Sequence, residues 1–183
     1  NAGRSHSCGL EFSAVARPWK GLLLRGDYGY THAVFKKYDG GNGLDYTGNF
    51  VPFVPRHTLH ADVSYTWNFT DTRLKAFTIG ADVSGAGRIF WTEANRRQAE
   101  SKSSLLELCR GAKEEDVVNT QNENFTPILG ARAVADFGPV KVMLWGRNLT
   151  DARYDSFLFE SAGRMFAQQA KPLQGGVDIT IRL

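Results

Sequence analysis

The stretch PRHTLHADVSYTWNF, residues 55–69, interleaves two kinds of side chain. From His57, every second position reads His57, Leu59, Ala61, Val63, Tyr65, Trp67, a set that is apolar after its first member and ends in two aromatics. The positions between them, Thr58, His60, Asp62, Ser64 and Thr66, are all polar. A period of two sends successive side chains to opposite faces, so this is a β-strand with one greasy and one wet face. Two architectures use such a strand. A soluble sandwich turns the apolar face to a protein core; a membrane barrel turns it to lipid and lines its lumen with the polar face.

The same alternation recurs along the chain. Leu10, Phe12, Ala14 and Ala16 oppose Glu11, Ser13 and Arg17, and Leu22, Leu24, Tyr28, Tyr30 and Val34 oppose Arg25, Asp27 and Thr31. Phe77, Ile79, Ala81 and Val83 alternate with Thr78, Asp82 and Ser84, and Leu129, Ala131, Ala133, Ala135 and Phe137 with Arg132 and Asp136. In 140–147, Val140, Val142 and Leu144 face away from Lys141 and Arg147, although Met143 and Trp145 blur the polar side. Val177, Ile179, Ile181 and Leu183 oppose Asp178, Thr180 and Arg182. Helical periodicity fits these segments less well, and seven strands are expected.

The connections alternate in length. Residues 18–21, 68–72 and 137–139 are tight turns rich in turn-forming residues. Between them lie long segments at about 36–55, 86–125 and 150–172, and structureless loops of that length are uncommon in compact sandwiches. Short turns on one edge and long loops on the other characterise an up-and-down membrane barrel, whose short turns are periplasmic. The polar face carries charges of both signs, which suits a wide wet lumen as well as a solvated sandwich surface. Aromatics near strand ends (Tyr28, Tyr30, Tyr65, Trp67, Phe137) match interfacial girdles and favour the barrel.

Composition narrows the partners. In 183 residues of net charge +3, acidic and basic side chains are interspersed, and no basic block points to nucleic acid. Mean hydropathy is −0.32. No apolar run reaches the roughly 18–20 residues of a membrane helix. That does not exclude a barrel, because alternation halves each strand's average hydropathy. The chain starts at Asn1 with no secretory signal, and it is expected to be a piece of a longer protein.

Several stretches are familiar: NAGRSHSCGLEFSA, YGYTHAVFKKYDGG, DYTGNFVPFVPRHTL, GRIFWTEAN, WGRNLTDARYDSF and KPLQGGVDITIRL. Together they resemble the C-terminal barrel portion of TonB-dependent outer-membrane receptors. The resemblance implies an all-β, antiparallel up-and-down transmembrane β-barrel of about twenty-two strands around an N-terminal plug. Residues 1–183 would supply about the last seven strands, without plug or TonB-contacting segment. It further implies a bacterial outer-membrane location, lipid around the wall, the TonB complex as energy-coupling partner, and an iron chelate or other nutrient as ligand. The chain departs from the usual pattern by ending on Leu183 rather than an aromatic. A soluble β-sandwich binding module and a passive porin are the alternatives.

No enzyme constellation, cofactor motif or metal site is expected. His57 and His60 point to opposite faces of one strand, DGGNGLD (39–45) lacks the ligand set of a calcium loop, and no helix pattern follows GAGR (85–88). Ligand capture by surface loops remains. Arg88, Phe90, Trp91, Asn95, Arg96 and Arg97 gather cations and aromatics at one loop's start; Phe157, Phe159, Arg164 and Phe166 do so in another. Aromatic faces with guanidinium forks suit a bulky, anionic, partly aromatic ligand such as a ferric siderophore or haem. Interface anchoring with ordinary loop ion pairs is the plainer reading of the same residues. Residues 103–115 are expected to form a short helix within the long loop. By strand parity Cys8 precedes the first strand on the extracellular side, and Cys109 lies in a loop on that side. They either form a disulfide pinning the loop or are two separate thiols.

Overall fold

In the computed structural model, the described residues are 3–41, 43–95, 98–100, 117–119, 121–122, 125–161 and 164–182. Seven long strands form one sheet: β1 (Arg4–Ala16), β2 (Leu22–Lys37), β3 (His57–Asn68), β4 (Ala76–Gly87), β5 (Ile128–Asp136), β6 (Val140–Arg147) and β7 (Gln174–Ile181). Each is antiparallel to its neighbours in the sequence, so the sheet is a meander. The strand count expected from alternation is met.

The register carries the alternation across the whole wall. Tyr28, Leu59 and Gly85 stand side by side on one face, as do Leu24, Val63 and Ala81. The other face aligns Ser13, Asp27, His60 and Ser84, and beside them Arg25, Asp62, Asp82 and Gly130. Met143 and Trp145 belong to this second face, opposite Asp178 and Gly176.

One sheet edge is closed by tight turns. Gly21 adopts φ 90°, and a Cβ there would come within 2.5 Å of the Thr66 carbonyl oxygen, so the first turn requires glycine. In the 137–139 turn, Gly138 also has φ 90° and its N–H donates to Asp136 Oδ1 at 2.8 Å. The middle turn is wider than expected, spanning 69–75, with Phe69 N–H donating to the Lys75 carbonyl. At the opposite edge the connections are 38–56, 88–127 and 148–173, and they contain short pairings of their own. The most extended is a hairpin of Asp155–Ser161 with Arg164–Gln169. The helix expected at 103–115 lies outside the described residues.

Burial separates the two architectures. Among the described residues, the buried apolar ones are Ala33, Phe35, Phe90, Trp91 and Leu158, all at the loop end of the sheet or in its connections. Along the middle of the wall, Leu10, Phe12, Val63, Ile79, Leu144, Val177 and Ile179 are exposed. A sandwich would cover these with a second sheet, but among the described residues all seven long strands lie in one. The sandwich alternative therefore fails: the apolar face has no protein core to enter. On β3, His57 to Tyr65 matches the roughly 9–11 residues of a tilted strand crossing a bilayer. Tyr65, Trp67 and Phe77 pack together near the turn edge as an aromatic band, with Tyr65–Trp67 ring centroids 4.5 Å apart.

Candidate ligand-facing rim

The loop edge is built around segment 48–53, which continues the sheet beside β2. Val51 N–H donates to the Ala33 carbonyl, Phe35 N–H to that of Asn49, and Phe50 bridges Val34. Phe53 then turns with φ 63°, a left-handed conformation costly for a bulky residue, while its N–H donates to the Phe90 carbonyl at 2.9 Å. Its ring stands 5.7 Å from that of Trp91 and stacks on that of Phe157 at 5.3 Å. Phe157 and Phe159, two apart on one strand, share a face, and Phe159 stacks on its cross-strand partner Phe166 at 5.1 Å. The result is an aromatic row, Phe53–Phe157–Phe159–Phe166, contributed by two different connections. Its four members are 40–47% exposed, whereas Phe90 and Trp91 are buried.

Two asparagines fix the rim. Asn95 spends its amide inside it: Nδ2 donates to the carbonyls of Phe50 (2.9 Å) and Thr92 (3.1 Å), and Oδ1 accepts from Phe50 N–H. Asn148, buried and at φ 51°, closes the turn after β6. Its Nδ2 donates to the carbonyls of Ala152 and Lys171, both at 3.0 Å, and Oδ1 accepts from Ala152 N–H at 2.9 Å. Beside it, Asp151 accepts from the Leu173 N–H, which with nearby Arg153 holds its carboxyl below the ordinary range despite some desolvation. The NLTD stretch thereby ties the start of the third long connection to its end.

Below the rim, the polar face carries an ion-pair array. Arg132 lies across β4 to reach Asp62 with two hydrogen bonds of 2.6 and 3.2 Å, and Asp82 is 3.9 Å away. This crossing needs Gly80: a Cβ there would stand 2.8 Å from the guanidinium carbon. His60 faces Asp27 at 3.5 Å, and Asp136 receives Lys141 at 3.3 Å and Arg182 at 3.5 Å.

Of the residues singled out in the sequence, Phe90, Trp91, Phe157, Phe159 and Phe166 come together. Arg88 stands apart from the row, its guanidinium 5.9 Å from the Phe90 ring centroid. Arg96, Arg97 and Cys109 lie outside the described residues, as does the side chain of Arg164. Cys8 is not ahead of the first strand but within β1, exposed and opposite His32 on the apolar face. The sequence reading passed over Phe50, Phe53 and Arg56; the aromatic pair spaced by prolines in NFVPFVPRH was the available signal. Among the described residues no metal-binding cluster occurs.

A one-sheet antiparallel meander with a bare apolar face, a charged opposite face and structured connections at one edge defines the wall of a transmembrane β-barrel. The family model described as "TonB dependent receptor-like, beta-barrel" matches residues 1–106, and the chain belongs to that family. No curated protein matches the chain. Among solved structures, it is similar to the ferric yersiniabactin uptake receptor FyuA from Yersinia pestis (TM-score 0.72, 19% identity, 99% of this chain and 24% of that one). It is also similar to the siderophore receptor PiuA from Acinetobacter baumannii (TM-score 0.62, 17% identity, 96% of this chain and 21% of that one). The chain thus spans about a quarter of the length of these structures, and at such identity they speak for the fold.

Proposed function

We propose that this chain is the C-terminal barrel portion of an outer-membrane active-transport receptor, and that its loop edge captures a bulky, anionic, partly aromatic ligand of the ferric-siderophore or haem class. The observation that carries this reading is the row Phe53–Phe157–Phe159–Phe166, kept exposed and stacked by residues from two connections. Stacked rings present flat, polarisable surface at low entropic cost. One solved relative is described as a ferric yersiniabactin uptake receptor and the other as a siderophore receptor, which supports the class without choosing a member. The charged inner face gives the ligand a hydrated path along the wall, and uptake against a gradient draws its energy from TonB through segments outside this chain. A passive porin would need no such coupling.

Whole-cell uptake of a panel of labelled ferric chelates and haem, in cells producing the complete receptor, tests this. A Phe157→Ala/Phe159→Ala variant should lose uptake of the cognate ligand while its surface abundance is unchanged, and wild-type uptake should stop when TonB is removed. Undiminished uptake by the variant would remove the row from the ligand path; uptake independent of TonB would identify a porin.

A further inference from the structure

On the charged inner face, where β6 runs out into the third long connection, a cleft of about 290 Å³ opens in the wall. It is lined by Asp82, Arg132, Met143, Trp145, Arg147 and Asp178, which register places on that one face. Two glycines make the room. Gly130 stands opposite both Asp82 and Arg147, and the Asp82 carboxylate leans over it, 2.6 Å from where a Cβ would stand. Gly176 stands opposite Trp145, and the half-buried indole packs over it, again 2.6 Å from the position of a Cβ. The space between these two side chains is left open toward the lumen.

The charges of the cleft are of two kinds. Arg132 and Asp82 belong to the ion-pair array, the guanidinium 2.6 Å from Asp62 and 3.9 Å from Asp82. Arg147 and Asp178 are exposed, and among the described residues neither makes an ion pair or a side-chain hydrogen bond. They do not reach each other either. Asp178 lies opposite Met143, four positions from Arg147 along β6, which is about 13 Å at the rise of a strand. Trp145 stands midway between them. Water alone satisfies an exposed charge on a wet wall, but here a cation toward the loop edge, an indole and a carboxylate toward the turn edge form a line.

We infer that this cleft is a subsite for one arm of the transported ligand. The arm is a flat aromatic group with a carboxylate at one end and a hydrogen-bond donor, ammonium or hydroxyl, at the other. The Arg147 fork receives the carboxylate, Trp145 the ring and Asp178 the donor. The inference rests on the transport reading above, because only then does a ligand travel along this face. The volume suits an arm and not a whole ligand, since pockets for drug-sized molecules hold about 300–1,000 Å³. Asp178 sets the selectivity: it repels an arm that is anionic at both ends and accepts one that carries a donor.

The test is saturation-transfer NMR of the complete receptor in detergent, with 4-(aminomethyl)benzoate as the probe. Benzoate lacks its donor, benzylamine lacks its carboxylate, and trans-4-(aminomethyl)cyclohexanecarboxylate keeps both ends without the aromatic ring. The probe should bind more tightly than all three, and terephthalate, anionic at both ends, more weakly than benzoate. Arg147→Gln should weaken the probe about ten-fold and Trp145→Leu about three- to ten-fold. Asp178→Asn separates a subsite from a structural role, because it should weaken 4-(aminomethyl)benzoate and strengthen terephthalate. The ranking of compounds is read on the wild-type receptor, so it stands even if a variant fails to assemble. Equal binding of the probe and its three analogues, undiminished binding by Arg147→Gln, or weakening of terephthalate as well as the probe by Asp178→Asn would overturn the proposal. Failure here with uptake still dependent on the rim and on TonB would remove the subsite and leave the transport reading. Ranked binding with TonB-independent uptake would remove the transport reading and leave a cleft that selects such an arm.

Discussion

On the outer face of the sheet, Leu10, Leu24, Val63, Ile79, Leu144 and Ile179 stand 38–65% exposed with no second layer over them. On the inner face of the same strands, Arg132 crosses β4 to pair with Asp62, and Asp136 receives two cations. The difference shows what each face has for a solvent. Lipid satisfies the outer side chains without any protein partner, whereas the inner charges, spaced along a wet wall, gain from pairing with each other. One backbone serves both because the pleat separates the two sets completely, so the comparison can be broken one residue at a time.

The largest effect should come from placing a charge on the wrong face. Val63→Arg puts a cation in lipid at a cost of about 2–4 kcal/mol near the midplane and should abolish assembly, read by heat-modifiable gel migration. His60→Arg, on the inner face beside Asp27, should assemble like the wild type. Ser64, which the alternation alone offers as an inner-face control, is unsuitable: it is buried opposite Gly80, the position Arg132 lies across.

Next in size is loss of the inner pairing. Arg132→Met strands Asp62, whose side chain is only 8% exposed. Because the guanidinium itself is partly solvated, the cost should fall below the 3–5 kcal/mol of a fully buried pair, at about 2 kcal/mol. Asp62→Asn in the same background should recover part of it, as measured by thermal unfolding of the receptor in detergent. Equal stability of both variants and the wild type would show that the array contributes charge but no cohesion.

At the rim, Asn148→Ala removes three hydrogen bonds and leaves the carbonyls of Ala152 and Lys171 without a donor, at a cost of about 1–3 kcal/mol. The loss should be local, appearing as faster hydrogen exchange across 148–173 with β3 and β4 unchanged. The smallest effect is that of pH at Asp151. Its folded carboxyl lies below the ordinary value of 3.8, so its contribution is fully present above that value and is lost as pH falls through the folded pKa. Exchange in 148–173 should therefore quicken only below about pH 4, and Asp151→Asn should remove that acid step.

The wall was legible in the sequence because a period of two survives every local irregularity: each segment identified by alternation is a strand of the sheet. Trp145 and Met143 blurred one strand for a physical reason. An inner face need not be polar where a neighbour lacks a side chain, and the Trp145 indole lies over Gly176, whose Cβ would meet it at 2.6 Å. The rim was less legible. Phe90 and Trp91 announced themselves as aromatics but are buried supports, while Phe53 belongs to the exposed row only because its backbone takes a left-handed turn that no periodicity encodes. Asn95 looked like a ligand group and instead holds Phe50, a pairing across 45 positions that exists only once the connections are folded.

The face assignment itself is tested most directly by spin labels placed singly along β3, with Cys8 and Cys109 replaced by serine, in the complete receptor reconstituted into bilayers. Collision with oxygen, which concentrates in lipid, should peak at 59, 61 and 63, and collision with a water-soluble nickel chelate should peak at 58, 60 and 66. Two accessibilities oscillating with period two and out of phase are the result this account predicts. Labels at 59, 61 and 63 shielded from both reagents would mean that the apolar face enters a protein core, and the barrel wall would be contradicted.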